Sequence, residues 1–505
     1  MNNVIEIDDP DFSANFDGVK WTVKWKWSLG EPELSNQVSS YGVSADMKQA
    51  FEDEVQSWID EGILIPVPEN ERVTSVIPLM AIRQVNKQKV RPVLDFKQLN
   101  KYVSCHTGAS AVCGDTIRRW RKIGDNLVRL DLRKAYLQLH INPSLRKHQA
   151  VRFKGKYYFL TRLGFGLNCS LRIMNRILQE VLALNDRVRL ATDNYLDDIV
   201  VNEDVASADL VKRHLQNFGL EVKPFEDFNE GSKVLGLAVK RSASGELRWS
   251  RGNPVSSIVV QEGSLSRREL FSVCGQLVSH YPVAGWLRVA CSFIKRVSEG
   301  SSWEDDVGEN SRAMLAEVLE KLRQSDPVGG KWKVSSTKGK VWCDASSLAT
   351  GCALEVDGEI VEDGSWLRKE DTTHINLAEL DSVLKGLNLA AMWNLDEVEI
   401  VTDSATVFGW LQSALYDTHM VRTRGLSEIL VKRRLSLVRD VCKECGIRAS
   451  VSWIQSCKNK ADVLTRVSKK WLQKCAVLPN LKKMLSGTSI ESITWALTER
   501  CIYRE

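Results

Sequence analysis

The stretch "LATDNYLDDIVVNE", residues 190–203, constrains the fold of this chain more than any other. It sets two adjacent aspartates, Asp197 and Asp198, between "VRLAT" and "IVV", short apolar runs that predict buried strands joined by a tight turn. Strands hold such a turn rigid. Two like charges fixed side by side are costly unless a cation neutralises them, which points to a divalent metal site, with a solvated turn as the alternative. The same spelling recurs in "SSWEDDVGEN", with Trp303, Asp305 and Asp306. There Gly, Ser and Glu replace the apolar flanks, so that copy reads as a solvated linker.

At 505 residues the chain exceeds what one hydrophobic core organises, and roughly two to four domains are expected. Apolar residues at 43% and charged residues at 26% are ordinary globular usage, which excludes a long disordered chain. The net charge of +5 says little about partners, but its distribution says more. Arg83, Lys87, Lys89, Arg91, Lys97 and Lys101 face Asp95 alone, and residues 118–134 and 422–439 are similarly basic. Such patches suit a phosphate backbone, while a solvated face accounts for any one of them. The start, "MNNVIEIDDP", lacks the apolar core of a secretory signal. The uncharged run Leu270–Leu287 contains Gln276, Ser279, His280 and Pro282 and is no membrane span. Twelve scattered cysteines favour free thiols in a reducing compartment. Cys442 and Cys445 form a CxxC, but Cys457 and Cys475 stand at no zinc spacing, so a zinc site is not expected.

Along the chain, Trp21, Trp25 and Trp27 mark a strand or arm within residues 1–40. A helix is predicted from the Ser44 cap to Gly62, then extended runs, a helix near 115–122 and the strand "NLVRLDL" ending at Asp131. A hairpin turned at Gly155, two amphipathic helices, the strands "KVLGLAVK" and "GELRWS" and a helical segment from Ser266 to about Arg296 follow. The Gly/Ser/acidic stretch 298–310 reads as a linker, with a helix at 311–324 behind it. A new α/β pattern then begins, so the chemistry divides at about residue 330.

In the first block, Asp131 ends an apolar strand, and a sheet joining it to Asp197 and Asp198 would gather three carboxylates, enough for two Mg²⁺ ions beside a substrate phosphate. "DLRKAYLQLHI", "FLTRLGFGLNCSLRIMNRIL" and "YLDDIVV" resemble the palm of a reverse transcriptase from gypsy-type LTR retrotransposons, and the segment from "EGILIPVPENERV" to "VRPVLDFKQLN" resembles its fingers. The resemblance implies that Asp131, Asp197 and Asp198 hold the metals that activate a primer 3′-hydroxyl and stabilise the departing pyrophosphate. It also implies that Lys89 and Arg91 meet the triphosphate and that Tyr136 is the steric gate against a 2′-hydroxyl, with a core tyrosine as the alternative. Phe165 and Gly166 would lie beneath the nucleotide and template, Tyr195 beside the nucleic acid, and Gly236 in the primer grip. There are departures: Leu-Pro-Phe-Gly is "LGFG" here, and Asn-Ala-Pro is Asn168-Cys169-Ser170. Glu226 stands where the family has a lysine, with Lys223 three residues earlier, which leaves a proton donor to pyrophosphate open.

In the second block, "VWCDAS", "HINLAEL", "IVTDSA" and "NKADVLTR" place Asp344, Glu379, Asp403 and Asp462 at the ends of successive elements. Together they resemble the ribonuclease H of retroelements over about residues 338–468, a two-metal nuclease. Asn376 and Ser404 would contact the metal shell or an RNA 2′-hydroxyl, and "VRTRGLSEILVKRRL", with Arg433 and Arg434, would form a basic ridge for the hybrid. The histidine loop of cellular relatives is replaced by "SCKNKAD".

The expected fold class is thus α+β and α/β multidomain, a right-hand polymerase followed by a ribonuclease H-like α/β domain. The divisions are an N-terminal arm at 1–40, fingers and palm at 41–240, thumb at 241–297, tether at 298–337, ribonuclease H at 338–468 and a tail at 469–505. The implied function is RNA- and DNA-directed DNA synthesis with cleavage of the RNA strand of the resulting hybrid. The implied cofactor is Mg²⁺, two ions per site, with Mn²⁺ as a substitute. The implied partners are RNA template, DNA primer and product, RNA:DNA hybrid, dNTPs and other Gag and Pol products, with no membrane and with room for a dimer. The implied location is a cytoplasmic particle with a nuclear stage alongside the integration complex. No Asp-Ser/Thr-Gly protease motif, CCHC knuckle or integrase-like zinc motif is visible, so part of a Pol polyprotein is expected. Two rivals are a polymerase with an inactive nuclease and a domesticated, catalytically dead nucleic-acid scaffold of the same fold. The scaffold predicts the loss of at least one of the seven carboxylates, and all seven are present.

Overall fold

Leu127, Val128 and Leu130 are buried, and the strand they build, Leu127–Asp131, lies inside a four-stranded antiparallel sheet. The computed structural model describes residues 4–34, 40–73, 75–84, 89–104, 113–258, 263–369, 374–416 and 428–476. They form a mixed α/β multidomain protein of two units, Met1–Ser232 and Lys233–Glu505. In the first unit the sheet order is Thr192–Tyr195, Asp198–Asn202, Leu127–Asp131, Glu226–Asp227. Ile199, Val200 and Val201 are all fully buried, so this strand is covered on both faces and reads as a continuous apolar run. The helix Ser170–Ala183 packs on the sheet with Ile173, Met174, Ile177, Leu178 and Val181, an apolar stripe at helical spacing.

One expected strand is absent. "VRLAT" is not extended: residues Asp186–Ala191 form a helix, and the strand begins only at Thr192. Asn185 decides this, because its side-chain oxygen accepts hydrogen bonds from the amides of Arg187 and Val188 and caps the helix. The turn that follows is as tight as expected. Leu196 adopts φ of 57°, an uncommon conformation for a residue with a side chain, and the Asn194 amide holds it by donating to the Leu196 carbonyl.

Residues 5–25 form a meander of three strands, Ile5–Asp8, Phe12–Phe16 and Trp21–Trp25, that buries Phe12, Phe16, Trp21 and Trp25 in the core of the first unit. A two-stranded ribbon pairs Leu79–Gln84 with Lys89–Leu94. The predicted hairpin pairs Ala150–Phe153 with Lys156–Leu160, turning through Lys154 and Gly155, both at positive φ.

In the second unit, Leu237–Arg241, Leu247–Arg251 and Gly329–Lys331 lie side by side. Three helices follow the first two of these strands in sequence: Arg267–Val278, Trp286–Val297 and Gly308–Gln324. Ser266 and Glu269 form a reciprocal cap on the first. The sequence "SSWEDDVG" is a solvated turn between the second and third, ordered by its own aspartates. Asp305 accepts from the amides of Ser301 and Ser302, and Asp306 accepts from those of Leu265 and Gly308.

A five-stranded sheet completes the unit in the order Glu359–Leu367, Ala349–Val356, Lys338–Ala345, Glu397–Thr402, Arg448–Trp453, the last two parallel to Lys338–Ala345. The helix Ile375–Met392 crosses it so closely that a Cβ on Gly386 would lie 2.1 Å from Val341 Cγ1. This sheet and the three helices are joined by Asp363, whose carboxylate accepts from the amides of Ala284 and Gly285 before the helix Trp286–Val297 and is ion-paired to Arg288. Among the described residues, no helix is long and apolar enough to cross a membrane, and nine cysteines are free thiols.

Candidate functional site

Two carboxylate clusters, one in each unit, stand at strand ends. In the first, antiparallel register sets Asp198 directly opposite Asp131, and the Leu132 amide donates to the Asp197 carbonyl at 3.3 Å, closing the turn against the Asp131 strand. Cations already attend these acids. Arg129, two residues before Asp131, donates from Nη2 to Asp198 Oδ1 at 2.5 Å and from Nε at 2.9 Å. Its Nη1 reaches Glu226 Oε2 at 3.1 Å, and Lys223 Nζ lies 2.5 Å from Asp131 Oδ2. Burial raises the Asp197 carboxyl and pushes Asp198 up to about 6, with Arg129 pulling against that rise and the neighbouring aspartates adding to it.

Tyr136 sits on the short helical turn Ala135–Gln138, its ring 5.4 Å from that of Phe165, and burial followed by the Asp197 charge raises its hydroxyl. Phe165 is exposed. The loop that carries it is pinned by Asn100, whose amide donates to the Gly166 carbonyl and whose oxygen accepts from the Asn168 amide. The "LGFG" departure has a steric reason here. A Cβ on Gly164 would lie 2.2 Å from the Phe96 ring, so Phe96 fills the space a larger residue would need. Lys89 and Arg91 are exposed on one side of their strand. Tyr195 ends the Thr192–Tyr195 strand, and its hydroxyl accepts from Cys113.

In the second unit one carboxylate oxygen each from Asp344, Glu379 and Asp403 lie within 4.8 Å of one another. Asp344 ends up inside this cluster from the strand Lys338–Ala345, Glu379 from the first turns of the helix Ile375–Met392, and Asp403 from the end of Glu397–Thr402. Burial and the charges of Asp344 and Asp403 push Glu379 up to about 8, and burial raises Asp344. Asp462 is not in the group: it pairs with Arg466 at 2.7 Å. Asn459, buried in the "SCKNKAD" loop, donates to the Cys343 carbonyl and accepts from the Ala461 amide, anchoring the loop beside the Asp344 strand. Ser404 accepts from the Val407 amide and so caps the helix Ala405–Tyr416, while Asn376 lies in the first turn of its helix. Gly236 turns at φ of 78° against the His280 ring, and its carbonyl accepts from the Gly252 amide.

Of the basic ridge, residues 421–427 lie outside the described residues. Arg433 is exposed, whereas the Arg434 fork is taken by Asp381, with Nε to Oδ1 at 2.6 Å.

Among the described residues, Asp344, Glu379 and Asp403 form a group that could hold a metal ion, whereas Asp131, Asp197 and Asp198 do not bring one oxygen each equally close together. Asp131 Oδ1 and Glu379 Oε2 are buried without a hydrogen-bond partner among the described residues, and a carboxylate oxygen so placed lacks the compensation a cation supplies. Sequence reasoning missed Arg129, Thr465 and Trp453, and it named Lys223 only for an open proton-donor role, not as the partner of Asp131. Thr465 donates to Asp344, and Trp453 Nε1 donates to the Asp403 carbonyl at 3.0 Å. Arg129 did leave a signal, as the one cation between buried Val128 and Leu130.

A family model described as "Domain of unknown function (DUF7047)" matches residues 266–324, the span of the three helices. No curated protein matches the sequence. Solved structures share the fold. The foamy viral protease-reverse transcriptase dRH in complex with double-stranded DNA matches with a TM-score of 0.65 at 16% identity, over 84% of this chain and 73% of that one. The foamy viral protease-reverse transcriptase matches in complex with double-stranded DNA (0.64, 16%, 85% and 87%) and with RNA/DNA hybrid (0.60, 15%, 88% and 58%).

Proposed function

We propose that a chain with this fold is an RNA- and DNA-directed DNA polymerase with a tethered ribonuclease H, the reverse transcriptase region of a gypsy-type LTR retrotransposon Pol polyprotein. The observation that carries the reading is the pair of carboxylate clusters, Asp131 facing Asp198 beside Asp197, and Asp344 with Glu379 and Asp403, each with an unsatisfied buried oxygen. On this reading the first unit contains fingers and palm, and the second contains thumb, tether and ribonuclease H.

Asp131, Asp197 and Asp198 would hold Mg²⁺ ions in the first site, and Asp344, Glu379 and Asp403 in the second, with Asp462 joining them only on leaving Arg466. Bound there, the metal supplies acidification of the attacking hydroxyl or water and charge stabilisation at the leaving oxygen. The protein does the positioning. Tyr136, backed by Phe165, limits the space at the sugar 2′ position, and Gly166 lets the backbone approach the base pair. Lys89 and Arg91 offer cations to the triphosphate, and Gly236 presents backbone at a turn to the primer. Tyr195 lies beside the palm turn toward the template, and Asn376, Ser404 and Arg433 would meet the hybrid.

A second reading, an inactive nucleic-acid scaffold, draws on the ion pairs of Arg129 and Lys223, which neutralise two of the first three acids. Primer extension on poly(rA)/oligo(dT) with Mg²⁺, run beside cleavage of a labelled RNA:DNA hybrid, separates them. Extension and cleavage together are the expected result. Binding of hybrid without either activity, in Mg²⁺ or Mn²⁺, would leave the scaffold.

A further inference from the structure

Arg129 is held between two carboxylates on opposite flanks of its own strand. On one side, Asp198 receives both Nε and Nη2, and Asp131 Oδ2 lies 3.8 Å from Nη2. On the other, Glu226 stands in register directly across from Arg129, accepts from Nη1 at 3.1 Å and is itself fixed by the Ser232 hydroxyl at 3.0 Å. The guanidinium is largely buried, with 17% of its side chain exposed, so these are the acids available to it. A guanidinium and a divalent cation cannot share the same carboxylate oxygen without strong repulsion in a partly desolvated site. Yet a buried arginine released from Asp198 needs another acid, and Glu226 occupies that position.

We propose that Arg129 is an exchangeable counter-ion of the first carboxylate cluster, neutralising Asp198 in the metal-free protein while Lys223 holds Asp131, and passing to Glu226 when a divalent cation is bound. The inference rests on the polymerase reading for its purpose but not for its chemistry. Exchange keeps the aspartates close together without metal, where three ionised acids would otherwise repel, and makes the resting charge of the site depend on the protein's own cation. Because coupling between two binding events is reciprocal, whatever weakens the hold of Arg129 on Asp198 strengthens metal binding, and whatever removes its alternative partner weakens it.

The test is Mn²⁺ binding by electron paramagnetic resonance on the full chain, in an Asp344→Asn, Asp403→Asn background that silences the second cluster. Arg129→Met should tighten Mn²⁺ binding about tenfold, and Glu226→Gln should weaken it by a similar factor, as expected for coupling of ordinary size. The opposite signs separate exchange from unfolding, which would weaken both. Arg129→Lys, which keeps the charge without the fork, should stay within about threefold of the parent. Unchanged affinity in Glu226→Gln, or shifts of the same sign in both variants, overturns the proposal. Primer extension by the parent chain judges the polymerase reading separately. Opposed Mn²⁺ shifts in a protein that extends no primer would keep the exchange and remove the polymerase, and extension without the shifts would do the reverse.

Discussion

Thr465 donates its hydroxyl proton to the Asp344 carboxylate, joining two ends of the second acid cluster that lie 121 residues apart in sequence. Thr465 is fully buried, its backbone carbonyl accepts from Ser346, and the Asp462 carbonyl, 3.1 Å from the same hydroxyl, is its other acceptor. The bond orients one carboxylate of the group that could hold a metal ion. Thr465→Val, which keeps the shape and removes the donor, should therefore lower hybrid cleavage about 10- to 100-fold, while Thr465→Ser restores most of it. Cleavage rates of the two variants check this, and equal rates would reduce Thr465 to packing.

On the proposed reading, two separate carboxylate clusters predict separable activities. Asp197→Asn should abolish primer extension and leave hybrid cleavage nearly intact, and Glu379→Gln should do the converse. Loss of both activities in either variant, measured side by side on one preparation, would indicate misfolding.

The contact between the Tyr136 and Phe165 rings predicts a size filter. Tyr136→Val should raise ribonucleotide incorporation by opening space at the 2′ position, read as the ratio of kcat/KM for a ribonucleotide and its deoxy counterpart. Gly164→Ala should instead destabilise the loop by about 1–3 kcal/mol, since its Cβ meets the Phe96 ring. Its Tm should fall without a change in that ratio.

Glu379 predicts an unusual pH dependence. Its carboxyl is raised from 4.5 to about 8, so between those values the folded state keeps a proton that the unfolded chain has lost. Stability of the metal-free protein should then decline as pH rises through that window, by up to about 1.4 kcal/mol per pH unit for this one group. The contribution is fully present below about pH 4.5 and gone above about pH 8. Tm measured in EDTA across the window should fall less steeply in Glu379→Gln, and Mg²⁺ should flatten the wild-type curve. Parallel curves for the two proteins would remove Glu379 as the source.

The two arginines of the predicted ridge should behave differently. Hybrid affinity should fall with salt with a log-log slope on the order of −0.9 per phosphate neutralised. Arg433→Ala, at an exposed position, should make that slope shallower by about one unit. Arg434→Ala should leave the slope near the parent value and lower Tm, because its fork belongs to Asp381. Filter binding at several salt concentrations decides between them.

How much of this was legible in the chain follows from the range of the forces involved. Asp131 at the end of an apolar strand, the two aspartates at a tight turn and the hairpin through Gly155 are set by alternation, burial and turn chemistry within a few residues, so sequence alone determined them. The same holds for the helix Ile375–Met392 that carries Glu379, whereas the two units of the fold meet at Ser232 and Lys233 and not at about residue 330. Where sequence reading failed locally, a cap outweighed an apolar pattern: Asn185 turned "VRLA" into a helix. The rest was decided by tertiary structure, because it depends on register between distant segments. Arg129 meets Asp198 only through the pairing of strands 69 residues apart, Thr465 meets Asp344 only where a loop folds back on a strand, and Arg434 meets Asp381 only where two helices pack. Periodicity says which face a residue occupies but not which partner stands opposite, and in a partly desolvated site the partner decides whether a carboxylate holds a proton, an arginine or a metal.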